Sequence, residues 1–134
     1  MQNKDLFYLN LAKQISTASY CKRKKVGALL VKDNNIISFG YNGTITGFDN
    51  TCECNNVTKP EVLHAESNAI TKCAKSSLSS AGATLYLTLS PCYECSKLII
   101  QAGISEVKYI ENYSDLSGID LLKKAGVHVT QVIS

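Results

Sequence analysis

The sequence predicts an α/β protein, a three-layer α/β/α sandwich around a mixed five-stranded sheet. Three observations lead there. Five short apolar segments, at about 26–31, 36–41, 83–89, 106–110 and 127–132, have strand character. The first two are separated only by Lys32-Asp33-Asn34-Asn35, turn chemistry that makes them an antiparallel hairpin. After the hairpin, helical periods separate the strands, so the later strands run parallel, joined by helices.

In order, residues 4–19 read as an amphipathic helix with Leu6, Phe7, Leu9, Leu11, Ile15 and Ala18 as its buried stripe. A polar stretch, Ser19 to Lys25, leads into Val26-Gly27-Ala28-Leu29-Leu30-Val31, an unbroken apolar run that suits a central strand. Ile36 to Tyr41 is the returning strand. The segment from Asn42 to Pro60 has no period and reads as a long loop, a kind of segment that is often functional. Glu61 to Ala74 reads as a helix, Ser76 to Ser80 as a linker, and Ala83 to Leu89 as a strand. Pro91 suits the first turn of a helix, and Cys92 to Ala102 has helical apolar spacing at Leu98, Ile99 and Ala102. Val107 to Ile110 is a strand, Asp115 to Lys124 a helix stopped by Gly126, and Val127 to Val132 the last strand.

The 134 residues, 45% hydrophobic and 19% charged, fit one domain over 1–134 with a single core. No run approaches a membrane span and Met1-Gln2-Asn3-Lys4-Asp5 does not open a signal peptide, so a cytoplasmic protein with no membrane partner is expected. In that reducing compartment the six cysteines, in CxxC and CxC spacings, are expected to bind metal or stay inert rather than form disulfides. The net charge of +3 is modest, and its local source is Lys22-Arg23-Lys24-Lys25.

The chemistry centres on Ser90-Pro91-Cys92-Tyr93-Glu94-Cys95 together with His64-Ala65-Glu66. Cys92 and Cys95 fall one turn apart at a helix N-terminus, where the partial positive charge favours thiolate. With His64 they supply three ligands to Zn2+ and leave a fourth position for water, whose pKa the ion lowers toward neutrality. Glu66 is the non-ligating carboxylate that would move the proton. On a regular helix His64 and Glu66 diverge by about 200°, so both serve one site only where that helix meets the metal end-on. The expected place for these residues is helix N-termini at the carboxyl ends of strands. H-x-E…P-C-x-x-C is the general signature of zinc nucleobase deaminases. The plainer alternatives are a structural zinc knuckle or redox pair for the cysteines, a capping role for His64, and a solvated carboxylate for Glu66. Cys21, Cys52 and Cys54, with Glu53 or Glu61, are a candidate second metal site. Cys73 reads as a small core residue and His128 as structural.

Five segments carry a resemblance: Ser19-x-Cys21-x-Arg23-x-x-Val26-Gly27-Ala28, Gly40-Tyr41-Asn42-Gly43, His64-Ala65-Glu66-x-Asn68-Ala69-Ile70, Thr88-Leu89-Ser90-Pro91-Cys92-x-x-Cys95 and Ala125-Gly126-Val127. Over essentially the whole chain they resemble the deoxycytidylate (dCMP) deaminases of the cytidine deaminase-like superfamily. The resemblance implies hydrolysis of dCMP to dUMP and ammonia for thymidylate synthesis. It also implies homohexamers activated by dCTP and inhibited by dTTP, with Mg2+ accompanying a nucleoside triphosphate effector. Substrate contacts would come from Ser19, Arg23, Asn42, Gly43, Ala65, Ser90, Pro91 and Tyr113. Arg23 offers a fork for a 5′-phosphate, Ser19 and Lys22 a hydroxyl and a point charge, and Asn42 both a donor and an acceptor. Gly43 lets a ligand approach the backbone, and Tyr113 would stack near the nucleotide or bond its phosphate. The alternatives are a solvated charge run and a plain turn. Many relatives carry a long insertion before HAE with ligands for a second zinc; here 47–60 is short and lacks histidine, a compact form suited to a phage or bacterial enzyme. Two other functions stay open: a deaminase of a flipped base in tRNA or single-stranded DNA, and a non-catalytic nucleotide-binding zinc module. The modest charge weighs against nucleic acid, and the zinc module would need a fourth protein donor.

Overall fold

The computed structural model describes residues 3–132. Five strands form the sheet: β1 (Gly27–Lys32), β2 (Asn35–Tyr41), β3 (Thr84–Leu89), β4 (Glu106–Glu111) and β5 (His128–Gln131), in the order β2-β1-β3-β4-β5. β1 runs antiparallel to both neighbours, and β3, β4 and β5 are parallel. The hairpin closes through Asp33 and Asn34, whose φ of 51° and 62° give the twist that two-residue hairpin turns need.

Alternation along each strand assigns the two faces. Ala28, Leu30, Leu85, Leu87, Val107 and Tyr109 meet α2 (Ala65–Ala74), α3 (Tyr93–Gln101) and α4 (Ser117–Lys124) on one face. Leu29, Val31 and Tyr86 meet Tyr8 and Leu9 of α1 (Asn3–Ser16) on the other. The expected α/β/α sandwich with a mixed sheet is therefore the observed one. β1 is buried on both faces, as its apolar run requires. Gly126, at φ 87°, ends α4 where expected and turns the chain toward β5. Among the described residues no helix is long and apolar enough to cross a membrane.

Several expectations are corrected. The first helix stops at Ser16, leaving Ala18 exposed in a turn; Tyr8 and Ala12 are buried with the expected Leu9, the expected Leu11 and Ile15 pack partly buried beside them, and Phe7 faces solvent. Leu98 is likewise exposed on α3. The second helix begins at Ala65, not Glu61, because Val62–Leu63 pairs as a short ladder with Gly43–Thr44. That ladder lies within the expected loop, and so does Glu53–Cys54 paired with Val57–Thr58. Pro91 precedes the cap residue of α3 instead of entering its first turn. Cys21 and Cys52, 31 residues apart, form a disulfide, so the expectation of metal-bound or free thiols fails for these two. The 53–58 hairpin folds back on the segment before β1, and the Cα atoms of Cys21 and Cys52 lie 5.1 Å apart. Bonded sulfurs cannot be thiolate ligands, so the second metal site at Cys21, Cys52 and Cys54 is not present in this form. Cys54 is a free, exposed thiol, and Cys73 is buried in the core as expected.

Candidate functional site

Two helix starts build the centre. His64 caps α2 with extended backbone (φ −70°, ψ 156°), so its ring leaves the helix and the 200° divergence from Glu66 never arises. Cys92 caps α3, its Sγ accepting the Cys95 N–H at 3.4 Å. His64 Nδ1 stands 3.2 Å from Cys95 Sγ and 3.6 Å from Cys92 Sγ. The surrounding chain holds these starts in place. The Cys92 carbonyl accepts both the N–H and the hydroxyl of Ser96 at 2.9 Å. Ser67 Oγ lies 3.4 Å from Cys95 Sγ. A Cβ on Gly40 would sit 2.6 Å from Ala65 O and Ala69 N, so only glycine lets α2 lie this close to β2. Gly118 plays the same part for α4, where a Cβ would come within 2.4 Å of Pro91 O.

Tetrahedral Zn2+, with bonds of about 2.3 Å to sulfur and 2.0–2.1 Å to nitrogen, places its ligand atoms about 3.5–3.8 Å apart. The observed separations of 3.2 and 3.6 Å are close to that spacing. Two sulfurs and an imidazole nitrogen also match zinc in softness. Among the described residues no fourth His, Cys, Asp or Glu joins the three. The residues therefore fit a zinc ion with a position left for a ligand from outside the protein.

Charge at the centre is set by close contacts. Hydrogen bonds from Cys95 and His64 bring the Cys92 thiol down to about 4, against burial. The bond to Cys92, and then burial, push the Cys95 thiol up. The same contact with Cys92 raises His64 against its own burial. Burial pushes the Glu66 carboxyl up to about 7, opposed by its own backbone N–H and by His64. A carboxyl near neutrality both takes and returns a proton at physiological pH.

His64, Glu66 and Cys92 line a cleft of about 460 Å³, a volume typical of small-molecule sites. Of the residues expected to contact substrate, Arg23, Asn42, Ala65, Ser90 and Tyr113 line it too. Asn42 pins the basic segment: its Oδ1 accepts Val26 N–H at 2.9 Å and its Nδ2 donates to Lys24 O at 2.8 Å. One lone pair and one N–H of that amide remain free of these bonds. Ser90 Oγ accepts the Tyr113 N–H at 2.7 Å, which fixes where Tyr113 leaves β4. Ser19, Gly43 and Pro91 lie outside the cleft lining. The buried Ser19 hydroxyl donates to Asn42 O and accepts Cys21 N–H. Gly43 borders a second cleft, and Pro91 is fully buried beside Gly118. Glu53, Thr58 and Glu111 also line the first cleft without having been expected there, and Lys24 of the basic run joins them. Glu111 had a signal, its position at the carboxyl end of a strand next to Tyr113. Glu53 and Thr58 lay in a segment with no period to place them.

A family model described as the cytidine and deoxycytidylate deaminase zinc-binding region matches residues 2–111. The crystal structure of dCMP deaminase from the cyanophage S-TIM5 in complex with dCMP and dUMP is 46% identical, with a TM-score of 0.95, and the match covers 98% of this chain and 99% of that one. ComE operon protein 2 of Bacillus subtilis is 38% identical over 94% of this chain and 69% of its own length. Deoxycytidylate deaminase of Saccharomyces cerevisiae is 36% identical over 95% of this chain and 44% of its own length.

Proposed function

This chain belongs to the cytidine and deoxycytidylate deaminase zinc-binding family, and from that premise we propose that it hydrolyses dCMP to dUMP and ammonia. The observation that carries the reading is one cleft that holds a three-donor metal group, a buried carboxyl and the Arg23 guanidinium. His64, Cys92 and Cys95 would hold zinc, which would supply a water activated at neutral pH. Glu66 is the carboxyl that would hold and move the proton, to the ring nitrogen and then to the amine that leaves as ammonia. Arg23, with Lys24 beside it, takes the 5′-phosphate. The spare donor and acceptor of Asn42 suit a sugar hydroxyl or base edge, and Tyr113 and Ala65 border the nucleotide. Ser19 and Ser90 act one step back by fixing Asn42 and Tyr113, and Pro91 by setting the entry into α3. Gly43 leaves the backbone beside Asn42 open.

The same reading extends to the cytoplasm, to a homohexamer, and to activation by dCTP and inhibition by dTTP, with Mg2+ carried on the triphosphate. The exposed Tyr93 and Leu98 of α3 support an oligomer. A second cleft of about 580 Å³, bordered by Lys72, Lys75, Tyr20, Tyr41 and Phe48, offers the cations and aromatic faces that a nucleotide effector needs.

The test is turnover of dCMP and of deoxycytidine by the zinc-loaded protein, followed by absorbance, with and without dCTP and dTTP. Arg23→Ala is expected to lower kcat/KM for dCMP at least about tenfold more than for deoxycytidine, the scale of a charge-assisted bond. Equal specificity constants for the two substrates in the wild type would remove phosphate recognition. Activity on tRNA or single-stranded DNA with none on free nucleotide would favour the flipped-base reading. Lys25 of the basic run weighs against that reading, because its ammonium is bonded within the chain, to Ser19 O.

A further inference from the structure

We propose that Glu111 sets the length of phosphate chain the cleft accepts, admitting a nucleoside monophosphate and turning away the di- and triphosphate. The inference rests on the dCMP reading above. Arg23 and Lys24 line the cleft beside the metal donors, and so do the carboxylates Glu53 and Glu111.

The two carboxylates are committed differently. Glu53 Oε2 accepts the backbone N–H groups of Lys22 at 3.0 Å and Arg23 at 3.1 Å, and so holds the basic segment in shape. Glu111 Oε2 lies 2.7 Å from Lys24 Nζ, with side-chain exposures of 58% and 50%. An ion pair this exposed is weakly held, so an arriving phosphate replaces Glu111 as the partner of Lys24. The displaced carboxylate cannot go far. Glu111 is the last residue of β4, in register with Leu89 of β3, and its carbonyl accepts the Ser90 N–H at 2.9 Å. The negative charge therefore stays within one side-chain length of the phosphate.

Charge matching then decides chain length. A monophosphate carries about two negative charges, which Arg23 and Lys24 match. A second and third phosphate add charge where the lining offers no other Lys or Arg and where Glu111 waits.

Initial rates on dCMP, dCDP and dCTP, each alone, would be measured for zinc-loaded wild type, Glu111→Gln and Glu111→Asp. The wild type is expected to prefer dCMP. Glu111→Gln should cut the preference for dCMP over dCTP by about tenfold, mainly through a lower KM for dCTP. Glu111→Asp should retain the preference, and added salt should narrow it in the wild type more than in Glu111→Gln. A wild type that uses dCTP as well as dCMP, or an unchanged preference in Glu111→Gln, overturns the proposal and leaves the dCMP reading standing. A fall in kcat shared equally by all three substrates makes Glu111 a structural residue and also overturns it. A wild type inactive on dCMP both alone and with dCTP and Mg2+ added removes both.

Discussion

Burial holds the Glu66 carboxyl near neutrality, with a pKa of about 7, beside three metal donors that do not include it. On the reading proposed above its carboxyl carries a proton rather than binding the metal, and the two roles separate by mutation. Glu66→Gln keeps the shape and loses the titrating group. It should bind zinc one to one and turn over at least about a hundredfold more slowly, the usual scale of general acid–base catalysis. Zinc content and kcat measured on one preparation check this, and normal turnover would dismiss Glu66 as the carrier. Ser67 offers a second test, since its Oγ 3.4 Å from Cys95 Sγ makes it an outer partner of a ligand. Ser67→Ala should weaken zinc about 10–100-fold in chelator competition. The sequence made the three-donor cluster and Glu66 legible because only a few chemistries need those residue types in that order. A serine within a helix carries no such pattern, which is why Ser67 was not visible.

At the scale of elements, the strands and helices were legible from period and turn residues, and the start of α2 was not. Its apolar spacing extends back to Glu61, but Val62 and Leu63 are claimed by a ladder with Gly43 and Thr44, a tertiary pairing that overrides the local period. That pairing is what leaves His64 extended as a cap. The Cys21–Cys52 bond was hidden for a related reason, because compartment chemistry says nothing of a hairpin folding onto a distant segment. Both cysteines are at most 2% exposed, which shields the bond from reducing partners. A loop of this span predicts that Cys52→Ser costs about 3–4 kcal/mol of stability on the chain-entropy model, read from the shift in urea unfolding. The contact between α4 and the Pro91-Cys92 backbone gives another prediction. Gly118→Ala must push the helix or the loop aside, at a cost of about 1–3 kcal/mol, and should weaken zinc as well. Lower stability with unchanged zinc affinity would mean that α4 supports the fold but does not set the position of Cys92.

At the scale of the whole molecule, α1 is the helix that, among the described residues, stands alone on its face of the sheet, and a polar cluster ties it there. Neither the side α1 takes nor this tie is readable from period, since the partners are 103 and 81 residues apart. Asp5 of α1 accepts Lys108 Nζ of β4 at 2.7 Å and the Tyr86 hydroxyl of β3 at 2.8 Å, with its carboxylate almost wholly buried. Burial alone would raise Asp5, but the bonds from Lys108 and Tyr86 and the charges of Lys108 and Lys4 outweigh it. Its folded pKa therefore lies below the ordinary 3.8. A depressed carboxylate contributes stability that is fully present above its unfolded value and is lost as pH falls through the folded one. Asp5→Asn should cost about 3 kcal/mol at pH 7, the lower end for stranding one member of a buried pair; Glu106, 3.6 Å from Lys108, keeps that ammonium from being wholly unpartnered. At pH values below the folded pKa, the wild type carries the same neutral group, so the gap between wild type and variant should shrink. Urea unfolding of both proteins at neutral pH and through the acid range measures it. A gap that stays constant with pH would show that Asp5 ties α1 to the sheet by hydrogen bonding and shape, with its charge contributing nothing.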